Sequence, residues 1–338
     1  MSFFRFVKHQ VGKLVYTLFS FAPRAWERKF SILMDVLSSD SRRLRKLPAM
    51  TQDFQSMPDL ADCFSGLDAD SLSTLRCFVA KLHFMADSPH LYAPPPPPYA
   101  FLWGGLCTRE EYDEALENEK RLEELKTSLH LRQAEVSSLI YHHGLRFLPQ
   151  QALSYIADTI FVDAGAFEGD STLAFLHYNP CIVWAFEPSP PSQEMFLSTM
   201  KSNGVPGNAF CLRPEGLSDK NAIIRFSARA TGDCSLTGKG RCTAKLVTLD
   251  SLNPPTRIGL IKADLEGMGM SMLRGAVQTI RRDKPVLSLS FYHNTDEFLN
   301  TYQFVKALGL PYKYKVLALC PPWENHDLTL LAWPIDLP

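Results

Sequence analysis

Between Thr159 and Thr172 the chain reads TIFVDAGAFEGDST: an apolar run, an aspartate, two glycines four apart, then a helix start. Further on, Glu187 closes a second apolar run, CIVWAFEP. Strand ends of this kind hold a nucleotide-like ligand at the carboxyl edge of a parallel sheet. The glycines let backbone approach the ligand, and a carboxylate about 20 residues on can take both hydroxyls of a ribose. Asp163, Gly165, Gly169 and Glu187 are therefore candidate cofactor-binding residues. The stretch Glu215–Asp219, EGLSD, follows a third apolar run, so Ser218 and Asp219 are candidates for bordering the base; a plain turn is the competing reading. For Asp163 and Gly165 the alternative is a turn cap and a residue supplying positive φ, and for Glu187 an ordinary strand end.

The acids nearby select among cofactors. Asp163, Glu168 and Asp170 crowd the place where a dinucleotide would lay its pyrophosphate, an anion that wants bare N–H groups and a positive helix end. A cofactor without phosphates and with a positive sulfonium suits the loop better, which points to S-adenosylmethionine. An NAD-dependent oxidoreductase fits poorly, since G-x-G-x-x-G is absent.

Two further strand ends carry titratable groups. IKADLEG supplies Lys262, Asp264 and Glu266; alternation puts Lys262 and Asp264 on one face, with Asp264 at the tip toward the ligand crevice. Glu266 is a candidate substrate contact, against a helix cap paired with Lys262. In SLSFYHNTDEF, His293 lies just past the strand, where an imidazole can take a proton at neutral pH; a structural turn histidine is the competing view. Asp264 and His293 are the candidate catalytic bases. No D-x-D-x-D loop or H-x-x-x-H pair argues for a metal, and none is expected.

These residues need a scaffold of alternating strands and helices. Strands are expected at 160–163, 182–186, 209–212, 258–264 and 286–291, with helices at 171–177, 192–202 and 268–282. A helix near 297–308 and strands 312–319 and 328–332 follow. This order gives an α/β, doubly wound, Rossmann-like parallel sheet with a closing pair of strands, and a β-rich insertion over 222–249. Upstream, residues 1–105 form a helical region ending in five prolines, 94–98, which make a stiff spacer. Residues 106–145 are expected to form one long connecting helix. Thr108 and Glu111 make its capping box, and apolar residues from Tyr112 to Leu139 fall mostly three or four apart. Its 109–141 stretch is a candidate surface for self-association. Residues 146–338 form the ligand-binding domain.

With 338 residues, 46% hydrophobic and 21% charged, the chain can bury a sizeable core. Its net charge of −1 conceals an asymmetry: residues 1–50 carry roughly +7, leaving roughly −8 elsewhere. The acidic remainder opposes nucleic-acid binding. The basic amino-terminal arm, densest at RRLRKL, is read as a solvated face, with membrane contact as a weaker alternative. The apolar run 14–22 is too short for a membrane span and lacks a cleavage pattern, and the eight cysteines contain no C-x-x-C pair, so a cytoplasmic protein is expected.

Taken in order, FVDAGAFEGDST, AFEPSP, VTLDSL, IKADLEGMGMSMLRGA and PVLSLSFYH resemble the FkbM family of S-adenosylmethionine-dependent methyltransferases over roughly residues 145–335. The resemblance implies the class I methyltransferase fold and methyl transfer, usually to a hydroxyl oxygen of a sugar, polyketide or similar small molecule. It implies a cofactor site at Asp163, Gly165 and Glu187, with Asp264 and His293 near the substrate. One position departs: the family commonly has an acid two residues after the glycine of its D-x-E-G motif, where this chain has Gly269. The alternative expectation is a non-catalytic, cofactor-binding interaction protein on the same fold.

Overall fold

A computed structural model describes residues 60–87, 109–226, 242–322, 324 and 326–336. The basic arm, the proline run, Thr108 and the middle of the 222–249 insertion lie outside the described residues. The chain divides into two compact units, one of residues 1–54, 80–115 and 321–324, the other of 55–79, 116–320 and 325–338. In the first, the described residues are the end of helix α2 (Ala69–Asp87), the start of α3 (Arg109–Ser128) and residues 321, 322 and 324. The second unit holds the central sheet and the elements that cover it.

A seven-stranded sheet forms its centre, in the order β3-β2-β1-β7-β8-β10-β9. The strands are β1 (Ile160–Ala164), β2 (Ile182–Phe186), β3 (Phe210–Arg213), β7 (Ile258–Ala263), β8 (Val286–Ser290), β9 (Tyr312–Ala318) and β10 (Leu328–Pro334). The first five are parallel, and β10 runs antiparallel between β8 and β9. Every residue of β1, β7, β8 and β10 is buried, because both faces are covered; this is why these strands read as continuous apolar runs. All seven expected strands are present, each bound agreeing to within two residues.

The connecting helices are α6 (Asp170–Leu176), α7 (Pro190–Ser202), α8 (Gly269–Arg274), α9 (Val277–Asp283) and α10 (Thr295–Ala307). The single helix expected over 268–282 is two. A side chain at Gly275 would run into the Ser218 carbonyl oxygen, so the chain bends there around that close approach. The insertion contributes a small second sheet from β4 (Gly216–Leu217), β5 (Ala222–Phe226) and β6 (Cys242–Val247).

The long helix also ends early. α3 stops at Ser128, His130 turns left-handed at φ 56°, and the chain continues as α4 (Val136–Leu139), a 3-10 segment His142–Phe147 and α5 (Gln150–Ile156). Helical spacing persists through the break, but a tertiary contact overrides it. The buried Glu168 carboxylate takes the backbone N–H groups of Gln133 at 2.7 Å and Arg132 at 3.0 Å, which a continuous helix would have spent internally. The unbroken 109–141 face expected for self-association is therefore interrupted.

Residues 60–79 pack against α10. The Phe64 ring meets Phe298 edge-on at 5.5 Å, Phe78 stacks on Phe298 at 5.6 Å, and Tyr302 donates to the Ser65 carbonyl at 2.8 Å. With Phe291 stacked on Phe298 as well, α10 is held between the sheet and the amino-terminal helices α1 (Leu60–Cys63) and α2.

Candidate functional site

The carboxyl ends of β1, β2 and β7 form a crevice lined by Gly165, Phe186, Glu187, Pro188, Gly216, Leu217, Leu246, Asp264, Leu265, Glu266 and Met268. None of these is a lysine or arginine. With the side chains as placed it encloses about 70 Å³, and the segment 227–241, which runs into the strand carrying Leu246, lies outside the described residues. A larger depression of about 630 Å³, around Gln150, Tyr155 and Arg257, lies at the opposite, amino-terminal end of β7. Parallel sheets bind ligands at strand carboxyl ends, and the larger hollow is lined by no carboxylate or histidine, so the smaller one is the functional candidate.

Gly165 has φ 81°, and a Cβ there would strike the Asp264 carbonyl oxygen. The tips of β1 and β7 thus approach as backbone against backbone, which only glycine allows. Glu187, 6% exposed at the end of β2, accepts from Ser189 N–H at 2.8 Å and from Phe167 N–H at 3.1 Å. Burial raises its pKa, with those two backbone bonds acting against the rise. Each oxygen retains acceptor capacity facing the crevice.

Asp163 is fully buried and lies below the crevice. Its oxygens accept from Thr172 Oγ1 at 2.7 Å and Lys262 Nζ at 3.2 Å, and Lys262 also donates to the Gly165 carbonyl at 2.8 Å. Burial works against the Lys262 charge, but Asp163 and other nearby carboxylates raise its pKa, so it stays a cation. Lys262 pairs with Asp163, and not with Glu266 as the competing reading of Glu266 had it. Asp163 therefore reaches a ligand only through the loop it fixes.

Three expected contacts move elsewhere. Gly169, at φ 91°, packs under helix α7, where a Cβ would come within 2.6 Å of Met200 Cε; it serves packing and does not line the crevice. Ser218 is buried in the second sheet, its N–H bonded to the Val247 carbonyl, and Asp219 is exposed. The EGLSD stretch presents Gly216 and Leu217 to the crevice instead, because β4 pairs with β6 and turns Ser218 inward.

Asp264 and His293 meet. His293 Nε2 lies 3.0 Å from Asp264 Oδ1, at ion-pair distance but without the alignment of a hydrogen bond. His293 Nδ1 lies 3.0 Å from Glu297 Oε2, a buried acid that the sequence reading did not single out. Burial disfavours a charged His293, but two carboxylates outweigh it and push its pKa up to about 10. The expected neutral imidazole base is thus an imidazolium at neutral pH. Burial pulls Asp264 upward, and the His293 contact, then Lys262 and His143, carry it well below the usual carboxylate range. It is surrounded by protein, yet 24% of its side chain remains exposed at the crevice. Glu266, left-handed at φ 49°, borders the same space.

Behind this pair, His143 Nε2 lies 2.7 Å from Ser171 Oγ, and burial with the Lys262 charge lowers it to about 3. Asp170, also expected near the ligand, is buried and raised to about 6 by burial, with a Ser138 hydrogen bond opposing. Glu135, His326 and Asp327 bring ligand-type atoms within 4.8 Å of one another, a grouping that no local spacing could reveal because Glu135 is remote in sequence from the other two. Tyr292 donates to Asp327 at 3.1 Å, and burial pushes Asp327 up to about 7.

Residues 163–312 match the family described as the methyltransferase FkbM domain. The crystal structure of the FkbM methyltransferase from Methylobacillus flagellatus KT is similar with a TM-score of 0.52 at 18% identity, over 86% of this chain and 59% of that one. This chain thus spans about three-fifths of that protein's length. An rRNA methylase from Streptococcus thermophilus aligns at TM-score 0.39 and 13% identity, over 55% of this chain and 93% of that one. A methyltransferase from Streptococcus mutans in complex with SAH aligns at 0.37 and 12%, over 54% and 96%. No protein of curated function matches. The fold is that of the class I, Rossmann-like methyltransferases. Among the described residues, no helix is long and apolar enough to cross a membrane.

Proposed function

We propose that the chain, whose residues 163–312 match the methyltransferase FkbM domain family, is an S-adenosylmethionine-dependent O-methyltransferase acting on a hydroxyl of a saccharide, polyketide or other small molecule in the cytoplasm. The observation that carries the cofactor assignment is the lining of the crevice. It has a carboxylate at the end of β2, apolar walls at Phe186, Pro188, Leu217 and Leu246, and no lysine or arginine among its described lining residues. Such a site suits an uncharged base and a ribose, and it repels a pyrophosphate.

Gly165 and the loop after it would hold the cofactor's amino acid end, Glu187 its ribose, and the apolar walls its ring. When bound, the cofactor supplies a methyl group on a positive sulfonium, open to displacement by an in-line nucleophile. The protein's part is alignment more than proton removal. Asp264, ionised and partly exposed at the crevice, accepts a hydrogen bond from the incoming hydroxyl and fixes its direction. Its low pKa makes it a weak base, so its carboxylate takes the hydroxyl proton late, once the oxygen has become strongly acidic through forming its new bond to carbon. His293 carries a fixed positive charge that keeps Asp264 ionised and turned to the crevice. Glu266 completes the acceptor side.

The test is a thermal-shift titration with S-adenosylhomocysteine and, separately, NAD, on wild type and Glu187→Ala. Ligand at 100 times its dissociation constant adds about 2.7 kcal/mol to stability. A shift with S-adenosylhomocysteine alone, weakened in the variant, is expected. A shift with NAD alone would overturn the reading, as would none with either.

A further inference from the structure

Helix α10 begins with half of a capping box. Asn294 is its N-cap, and the Asn294 Oδ1 accepts from Glu297 N–H at 2.9 Å. In the full motif the glutamate at this third position would return to the N-cap backbone. Here the Glu297 carboxylate, 1% exposed, turns the other way. Its Oε1 accepts from Gly269 N–H at 2.6 Å, at the start of α8, and its Oε2 meets His293 Nδ1 at 3.0 Å, past the tip of β8. A Cβ built on Gly269 would lie 2.9 Å from Glu297 Oε1, so the carboxylate fills the space where a side chain at 269 would begin. Asn294 Nδ2 donates to the Gly267 carbonyl at 3.3 Å, a second tie between the start of α10 and the loop after β7.

We propose that Glu297 is a positioning residue: from α10 it occupies the place of the absent 269 side chain and holds His293 as a charged group against Asp264. This rests on the reading above, in which Asp264 directs the acceptor hydroxyl. The groups facing His293 are Asp264 beyond β7, Glu297 on α10 and the Tyr292 ring, stacked at 4.1 Å; Lys262 and His143 act on Asp264 from behind. Burial alone would strip His293 of its proton. Asp264 first and Glu297 second restore it, and the two carboxylates together hold its pKa near 10.

The experiment is an NMR titration of the His293 imidazole in wild type, Glu297→Gln and the double variant Gly269→Asp with Glu297→Ala. Glutamine keeps an acceptor for Gly269 N–H but turns its NH2 group toward His293 Nδ1, so it removes the charge and the acceptor on that side. Wild-type His293 should remain protonated through pH 8, Glu297→Gln should bind the proton at least tenfold less tightly, and the double variant should recover much of that loss. A wild-type midpoint near the ordinary 6.5 overturns the proposal without recourse to any variant. An unchanged titration in Glu297→Gln overturns it too. S-adenosylhomocysteine binding, measured by thermal shift on the same proteins, keeps the two questions apart. Absent binding in wild type removes the cofactor reading while leaving the His293 result standing as a statement about charge.

Discussion

Two acid–base pairs lie at the carboxyl ends of neighbouring strands, and they are finished differently. Asp163 and Lys262 are sealed: both are almost wholly buried, Asp163 accepts two hydrogen bonds, and Lys262 spends a further donor on Gly165. Asp264 and His293 are left ajar, with Asp264 24% exposed and His293 Nε2 facing it off-line. A fully bonded pair can offer a ligand nothing without losing something of its own, so it serves as floor. A pair with spare acceptor capacity at the crevice edge can bind and release. Sequence position alone makes Asp163 and Asp264 equivalent, each ending a strand. Bond saturation separates them.

That contrast can be broken most forcefully at the floor. Lys262→Met should cost about 3–5 kcal/mol, because it leaves a buried aspartate without its cation. Urea unfolding would measure this, and wild-type stability in the variant would make the sealed pair no more structural than the open one. A smaller effect separates the pairs by pH. His293 binds its proton more tightly folded than unfolded, so its contribution is complete below about 6.5 and lost as pH rises toward about 10. The melting temperature of His293→Gln should therefore show a shallower alkaline decline than wild type over that window. Lys262 is raised from 10.5, so its contribution persists across the same window and the deficit of Lys262→Met should stay level. The smallest effect is expected at Asp219→Ala, an exposed residue outside the crevice: stability within about 0.5 kcal/mol of wild type and unchanged S-adenosylhomocysteine affinity. A tenfold loss of affinity there would return the EGLSD turn to the binding site.

The sheet was legible because both of its faces are covered, so apolar runs and their helical spacers survive as pattern. Gly165 and Glu187 were legible because local geometry demands them. Glu297 was not: its partners are Gly269 and His293, and nothing in the DEF tripeptide distinguishes it from a helix-start acid. The break after α3 was hidden for a similar reason, since the group that captures Arg132 and Gln133 is Glu168, on another element. Periodicity reports which face is buried. It does not report which distant carboxylate will claim a backbone amide.

The welding of Glu168 to residues 132 and 133 also bears on where this protein can be cut. Residues 163–312 hold the recognisable motifs, yet a fragment with those ends would not be a smaller version of the whole. Glu168 would lose the amides of Arg132 and Gln133, Asp170 would lose Ser138, and Ser171 would lose His143. At the other end, the fragment would lack both β9 and β10, stripping the antiparallel neighbour from β8 and turning a fully buried strand into an open edge of the kind that recruits other chains. Any shortened version meant to stay folded has to keep the chain from the end of α3 through β10.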